Sequence, residues 1–263
     1  MIDFLFFLPL WVLAILLNVW LMGFAIASVW AIRRWVSPRL NLNTNAALFY
    51  GAAVLQSAMV FYGLVAALTA VSVWTKHSQV TDVVSREVTA IVSLWRNLDG
   101  YPQPARDAMQ EVLRGYTKQI IEEAWPEQRQ GRVPRAGVEW VSRLQAQLFS
   151  FTPAAGPQSF LHAQTLSAYN SLVEARRMRL EAVSVRLPGA MWVVLLPGAM
   201  GCLLLACLFP VEDARFQSML VIGLAGFVAM VLFVIISLDR PLYGALAISS
   251  DSYQMIHEQM IKW

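Results

Sequence analysis

Charge is scarce in this chain. Only 14% of its 263 residues are charged, where a soluble domain carries roughly 25%. Hydrophobic residues reach 57% and the mean hydropathy is +0.53. The shortage is uneven, because long stretches hold no charge and one central stretch holds most of it. That pattern excludes an ordinary soluble globule and points to membrane spans around a water-facing insert.

Histidine is nearly as scarce. His77, His162 and His257 stand far apart, with no metal-ligand spacing. HExxH, GxSxG, Walker and CxxC patterns are absent. An intramembrane aspartyl protease needs two acids at membrane depth, and only Asp239 approaches it, at a span end. The expectation is therefore no catalytic site, no metal and no cofactor. Cys202 and Cys207 lie five residues apart in one apolar run. On one helix they cannot bridge each other, and they read as small packing residues. No basic tract is interleaved with aromatics, so nucleic acid is not an expected partner.

What remains is apolar length. Span one is expected over about Phe4 to Ile32, span two over Ala46 to Trp74, span three over Leu187 to Phe209 and span four over Phe216 to Leu238. Each meets the ~20 residues that cross a bilayer core. The first run is too long for a signal-peptide core of about 7–15 residues; it carries Asp3 and ends in Arg33-Arg34, so it reads as a retained span. The chain thus divides into residues 1–45 (first span and basic connector), 46–74 (second span), 75–186 (helical water-facing domain), 187–240 (third and fourth spans) and 241–263 (C-terminal tail). The short connectors carry Arg33, Arg34 and Arg39, then Glu212, Asp213 and Arg215. The opposite face carries Lys76, Arg86, Arg176, Arg177, Arg179, Arg186 and Arg240. Span one alone, with Asp3 before it and Arg33-Arg34 after it, would put the short connector in the cytoplasm, but the larger basic count on the opposite face makes a cytoplasmic central domain and cytoplasmic termini the expectation, in a bacterial inner membrane.

The central domain reads as helices. Val80, Val84, Glu87, Val88, Ile91, Trp95 and Leu98 share one face, and no breaker separates them from span two. One helix is expected from about Ala46 to Leu98, ended by Asp99-Gly100-Tyr101-Pro102. A second opens after Pro104, with Ala105, Met109, Val112, Leu113, Tyr116, Ile120 and Ile121 as its stripe and Pro126 as its stop. A third covers about Ala136–Phe149, with Val141, Leu144 and Leu148 inward. A fourth starts near Gln158 and runs towards span three, where Pro188 and Pro197 bend or break it. The fold class is all-α, with a soluble domain continuous with spans two and three.

Three groups of polar residues are candidate sites. Tyr62, Thr69, Ser72 and Lys76 fall near one face of span two. They serve either helix packing or, in an oligomer, the lining of a conduit. Glu122 and Glu123 stand near a helix C-terminus, where acids oppose the macrodipole, and Arg176, Arg177 and Arg179 are plausible partners. Asp239 and Arg240 close span four, as a helix-end anchor or a gating acid.

Several of these segments occur together in a known family. They are Tyr62-Gly-Leu-Val-Ala-Ala-Leu68 with Val73-Trp74, then Glu87, Gly115-Tyr116 and Glu123-Ala-Trp-Pro126. Arg176-Arg-Met-Arg179, Leu187-Pro188 with Trp192, and Leu238-Asp-Arg-Pro-Leu-Tyr-Gly244 follow. Their order and spacing resemble the bestrophin-like bacterial membrane family, over about residues 46–250. The resemblance implies kinship with bestrophins, which are homopentameric anion channels. Two positions depart from the family pattern: Thr75 and Lys76 follow Trp74 where an acid is common, and Leu242 stands where Phe is usual. No bestrophin pore or calcium-site residue matches position by position. The resulting expectation is a homo-oligomeric channel in the lipid bilayer that passes small inorganic ions, anions foremost, along span two. The alternative is a non-transporting scaffold that binds a partner through its helical domain.

Overall fold

The computed structural model describes residues 9–39, 45–134, 137–209, 213–243 and 246–262. Phe4 to Leu8, Ala136, Glu212 and Gly244, all used in the sequence reading, lie outside them. The order is α1 (Leu10–Ala31), α2 (Asn45–Leu98), α3 (Ala105–Gln119), α4 (Trp125–Gln128), α5 (Val138–Ser150), α6 (Pro157–Ala182), α7 (Gly189–Leu208), α8 (Ala214–Leu238) and α9 (Asp251–Lys262). Among the described residues there is no strand. Among the described residues four helices are long and apolar enough to span a membrane: α1 with the π-turn that extends it to Val36, the first part of α2, α7 and α8.

The chain forms two compact units. The first comprises Met1–Thr75 and Arg186–Asp239. Here α8 packs along α1, and α7 touches both. Small residues set the approach: Ala25, Ala225 and Ala229 are fully buried, and Gly226 lies against Met22. Cys202 and Cys207 are unpaired and buried. Gln217 accepts from Arg33 Nη1 (3.0 Å) and donates to the carbonyls of Cys207 and Phe209. It thereby satisfies carbonyls that the end of α7 leaves open. Asn18 bonds the Ala14 carbonyl of its own helix rather than a neighbouring one.

The second unit comprises Lys76–Val185 and Arg240–Trp263. Its core gathers Ile91, Leu94 and Leu98 of α2, Leu113 and Tyr116 of α3, Leu144 and Leu148 of α5, Leu172 of α6 and Tyr253 of α9. These follow the apolar stripes expected from helical periodicity. Gly115 lets α3 meet α5 closely, since a Cβ there would fall 2.2 Å from the Trp140 ring.

Three features differ from the sequence expectation. Pro126 does not stop the second soluble helix, because the wider π-turn over Ile120–Ala124 precedes it and the chain continues helically to Gln128. An i→i+5 turn relaxes the demand for the N–H that proline lacks. Continuity into span three is one of chain, not of helix. α6 ends at Ala182 and Pro188 caps α7, while Pro197 is carried inside α7. The tail residues Tyr253, Ile256 and Met260 form a buried face of α9, which packs on α3.

Candidate functional site

The first part of α2 is the least covered span. Of its most apolar stretch 11% is buried within the chain, against 33%, 28% and 39% for the other three spans. Its residues divide cleanly. Ala66, Thr69 and Val73 are buried against the first unit. Tyr62 is half-buried beside Gly198 of α7, with its hydroxyl enclosed and without a hydrogen-bond partner among the described residues. Thr69 donates to the Val65 carbonyl at 2.8 Å, within its own helix. Facing outward are Leu64, Leu68 and Val71, 56–62% exposed. Their i, i+4, i+7 spacing places them in one line. Ser72 is exposed and Lys76 half-exposed. The four residues singled out on span two are therefore not equivalent: Tyr62 and Thr69 turn into the subunit, and Ser72 turns out.

In the second unit the outward face of α2 changes chemistry. Asp82, Ser85, Arg86, Thr89, Ser93 and Arg96 line one wall of a groove of about 890 Å³. Gln164, Ser167, Ser171 and Glu174 of α6 form the other. Thr89 and Ser171 satisfy their hydroxyls on carbonyls four residues back. Asp82, Arg86, Arg96 and Glu174 make no ion pair among the described residues. The groove is thus a polar surface with four uncommitted charges.

Behind it, on the core face of α2, lies a buried charge. Glu87 is fully enclosed. It accepts from Arg179 Nε at 2.5 Å, from Tyr116 Oη at 2.5 Å and from Tyr253 Oη at 2.8 Å. One carboxylate therefore joins α2, α3, α6 and α9. Such a group is tolerable away from water only when paired and hydrogen-bonded. Burial opposes the Arg179 charge, yet Glu87 and the two phenols hold its pKa above the ordinary range. Burial, and then the Glu87 charge, push Tyr116 and Tyr253 well above the usual phenol range, with Arg179 acting the other way.

The expected network of Glu122 and Glu123 with the arginine cluster is replaced by local pairs. Glu122 lies 4.0 Å from Lys118, and Glu123 accepts from Gln119 at 3.5 Å. Arg177 pairs with Glu181 at 2.9 Å. Arg179 answers to Glu87, 92 residues away. The reason is placement: Glu122 and Glu123 are exposed, whereas Arg179 points into the core. Arg176 lies near the α3–α5 contact, its guanidinium 3.7 Å from where a Gly137 Cβ would stand. Asp239 accepts from the Leu187 backbone N–H at 2.5 Å, fixing the entry to α7. Arg240 stacks over Tyr243, 5.1 Å from its ring centre. No cluster of three or more metal-ligating side chains occurs among the described residues.

Sequence reasoning missed the outward line of Leu64, Leu68 and Val71 because nothing distinguishes apolar residues facing out from those facing in. The hydroxyl and arginine repeat from Asp82 to Arg96 was a readable signal, being the complement of the apolar stripe on the same helix.

No curated protein matches the sequence. A bacterial bestrophin homologue from Klebsiella pneumoniae, solved by zinc phasing, matches with TM-score 0.73 at 10% identity, over 94% of this chain and 97% of that one. Two single-mutation forms of a bestrophin homologue from the same organism match with TM-scores of 0.73 and 0.74, at 9% and 10% identity. They cover 94% and 95% of this chain, and 99% and 98% of theirs. The shared architecture is that of the fold alone. At the level of sequence, the model of the bestrophin-like domain matches residues 19–253, and the chain belongs to the bestrophin-like family.

Proposed function

We propose that several copies of this chain close into a ring in a bacterial inner membrane, with α2 of each copy lining a central path for small inorganic ions. The observation that carries this reading is the uncovered face of α2. A span left this bare by its own subunit has a face for lipid, for a neighbour or for a path. Leu64, Leu68 and Val71 would form a narrow apolar collar, which gates by dewetting. Ser72 and Lys76 stand below the collar, and Tyr62 and Thr69 buttress it from behind. The water-facing groove supplies hydroxyls and charges for a vestibule. Lys76, Arg86 and Arg96 outnumber Asp82 on α2, and Arg179 neutralises Glu87, which favours anions over cations. The second unit and both termini face the cytoplasm on the arginine balance.

The test is voltage-driven flux in reconstituted liposomes. Chloride is expected to pass, and Leu68→Ser to raise conductance by wetting the collar. Persistent silence towards chloride and potassium, or a monomer by native mass spectrometry, would sink the proposal. A second reading, a non-transporting scaffold, draws support from Phe149 and Phe160, which are 66% and 74% exposed on the second unit. It expects a sealed oligomer and a distinct protein captured from native membrane.

A further inference from the structure

The end of α2 and the face of α9 leave a small pocket of about 140 Å³. Its walls are Val92 and Trp95 of α2 with Ile256, Gln259 and Met260 of α9. Three of these are nearly buried already: Trp95, Ile256 and Met260. Arg114 braces two of these wall residues. Its guanidinium lies over the Trp95 ring, 5.1 Å from the centre, and its Nε donates to the Met260 carbonyl at 3.1 Å. The Tyr253 bond to Glu87 ties the start of α9 to α2. The pocket is therefore preformed and mostly apolar, with Gln259 as its one neutral polar wall.

Its rim carries one charge of each sign. Arg96 has no hydrogen-bond or ion-pair partner among the described residues. Asp99 accepts from Gln110 Nε2 on Oδ1 at 2.7 Å, which leaves Oδ2 open. The two side chains do not pair with each other, although they stand three residues apart. An apolar hole with an uncommitted guanidinium and a half-used carboxylate at its mouth selects a ligand with three parts.

We propose that this pocket binds a free α-amino acid with an apolar side chain. The ligand carboxylate meets Arg96, its ammonium meets Asp99, and its side chain fills the space between Trp95 and Met260. A simple carboxylate meets repulsion from Asp99, and a simple amine meets repulsion from Arg96. Its volume suits a small apolar side chain: a space of about 150 Å³ holds benzene, which is the size class of leucine, isoleucine or methionine. Arg96 also lines the groove on the outward face of α2. A bound carboxylate engages the same guanidinium, and so removes positive charge from that wall. This regulatory consequence rests on the conduction reading above; the binding itself does not.

The experiment is isothermal titration of the full-length protein in nanodiscs with three probes: L-leucine, 4-methylpentanoate (leucine without its ammonium) and 3-methylbutan-1-amine (leucine without its carboxylate). Leucine is expected to bind at least about tenfold more tightly than either fragment, the scale of one charge-assisted hydrogen bond. Arg96→Gln and Asp99→Asn alter exposed side chains, and the amide oxygen of the second can still accept from Gln110 Nε2; an unchanged Tm checks the fold. Each is expected to weaken leucine by about tenfold or more, and Arg96→Gln to leave the amine no weaker. Absence of saturable heat with millimolar leucine, or leucine binding untouched by both substitutions, overturns the proposal. So does 4-methylpentanoate binding as tightly as leucine, which marks a monocarboxylate site. Because titration reads no current, a protein that binds leucine yet conducts nothing overturns only the conduction reading. One that conducts yet ignores leucine overturns only this one.

Discussion

The two halves of α2 divide their surfaces by different rules. In the spanning half, hydroxyl-bearing Tyr62 and Thr69 turn inward, and Leu64, Leu68 and Val71 turn outward. In the water-facing half, Ile91, Leu94 and Leu98 turn inward, while Asp82, Arg86 and Arg96 face out. Yet the most polar interaction of the second unit, Glu87 with its three partners, sits among that inward apolar surface. The lesson concerns satisfaction rather than polarity. Glu87 has every partner a carboxylate needs, whereas the Tyr62 hydroxyl is enclosed with none among the described residues.

Substitutions sharpen that contrast. Glu87→Ala is expected to be the most damaging, because it strands the Arg179 charge in the core. A buried pair broken on one side costs about 3–5 kcal/mol. Thermal unfolding in detergent, with limited proteolysis to locate the damage in the second unit, measures it. Replacing both charges, as in Glu87→Leu with Arg179→Met, should recover part of the loss, less the cost of leaving the Tyr116 and Tyr253 hydroxyls without their acceptor, and no recovery at all would show that the stranded charge is not the main cost. Gly115→Ala comes next. Its Cβ would meet the Trp140 ring at 2.2 Å, and overpacking of this kind costs roughly 1–3 kcal/mol. A neutral result would mean that α5 shifts freely on α3.

Alkaline pH probes the same cluster. Tyr116 and Tyr253 hold their protons in the fold to a higher pH than in the unfolded chain. Above the ordinary phenol pKa of about 10, the unfolded state releases protons that the folded state keeps. The stabilisation is therefore complete below that pH and is lost as pH rises through the raised folded values. The slope is about 1.4 kcal/mol per pH unit for each tyrosine. Tyr253→Phe should roughly halve it, read as the pH dependence of Tm between pH 9 and about 11. The smallest effect belongs to Tyr62→Phe. Removing an enclosed hydroxyl that has no partner should leave stability within about 1 kcal/mol of the parent, on the favourable side. A large loss would mean that the hydroxyl has a partner inside the subunit, such as a bound water.

The legibility of the sequence follows the same division. Val80, Val84, Ile91 and Leu98 announced the core face of α2, because water on the other side enforces a period. In the spanning half, lipid tolerates leucine on every side, so Leu68 and Val73 look alike on paper and face opposite ways in the fold. Glu87 stood out as a motif residue, but its partner did not. No spacing rule pairs residues 87 and 179, and the nearer acids Glu122 and Glu123 were the more obvious match for the arginines. Tyr253, Ile256 and Met260 recur at helical intervals in a segment that reads only as a tail until its neighbours are known.

The contrast between Pro188 and the unbroken α2 has a consequence for bilayer thickness. From Leu64 to Leu98, α2 has neither glycine nor proline, so no element of the backbone marks where lipid ends. A thinner or thicker membrane is met by moving that boundary along the helix. α7 has no such freedom. It starts at Gly189 behind Pro188, is held there by the Asp239 bond to Leu187, and has 20 residues. At 1.5 Å per residue that is about 30 Å, one hydrocarbon core. α7 is therefore the gauge of the molecule: the lipid adapts to it, and α2 adapts to the lipid.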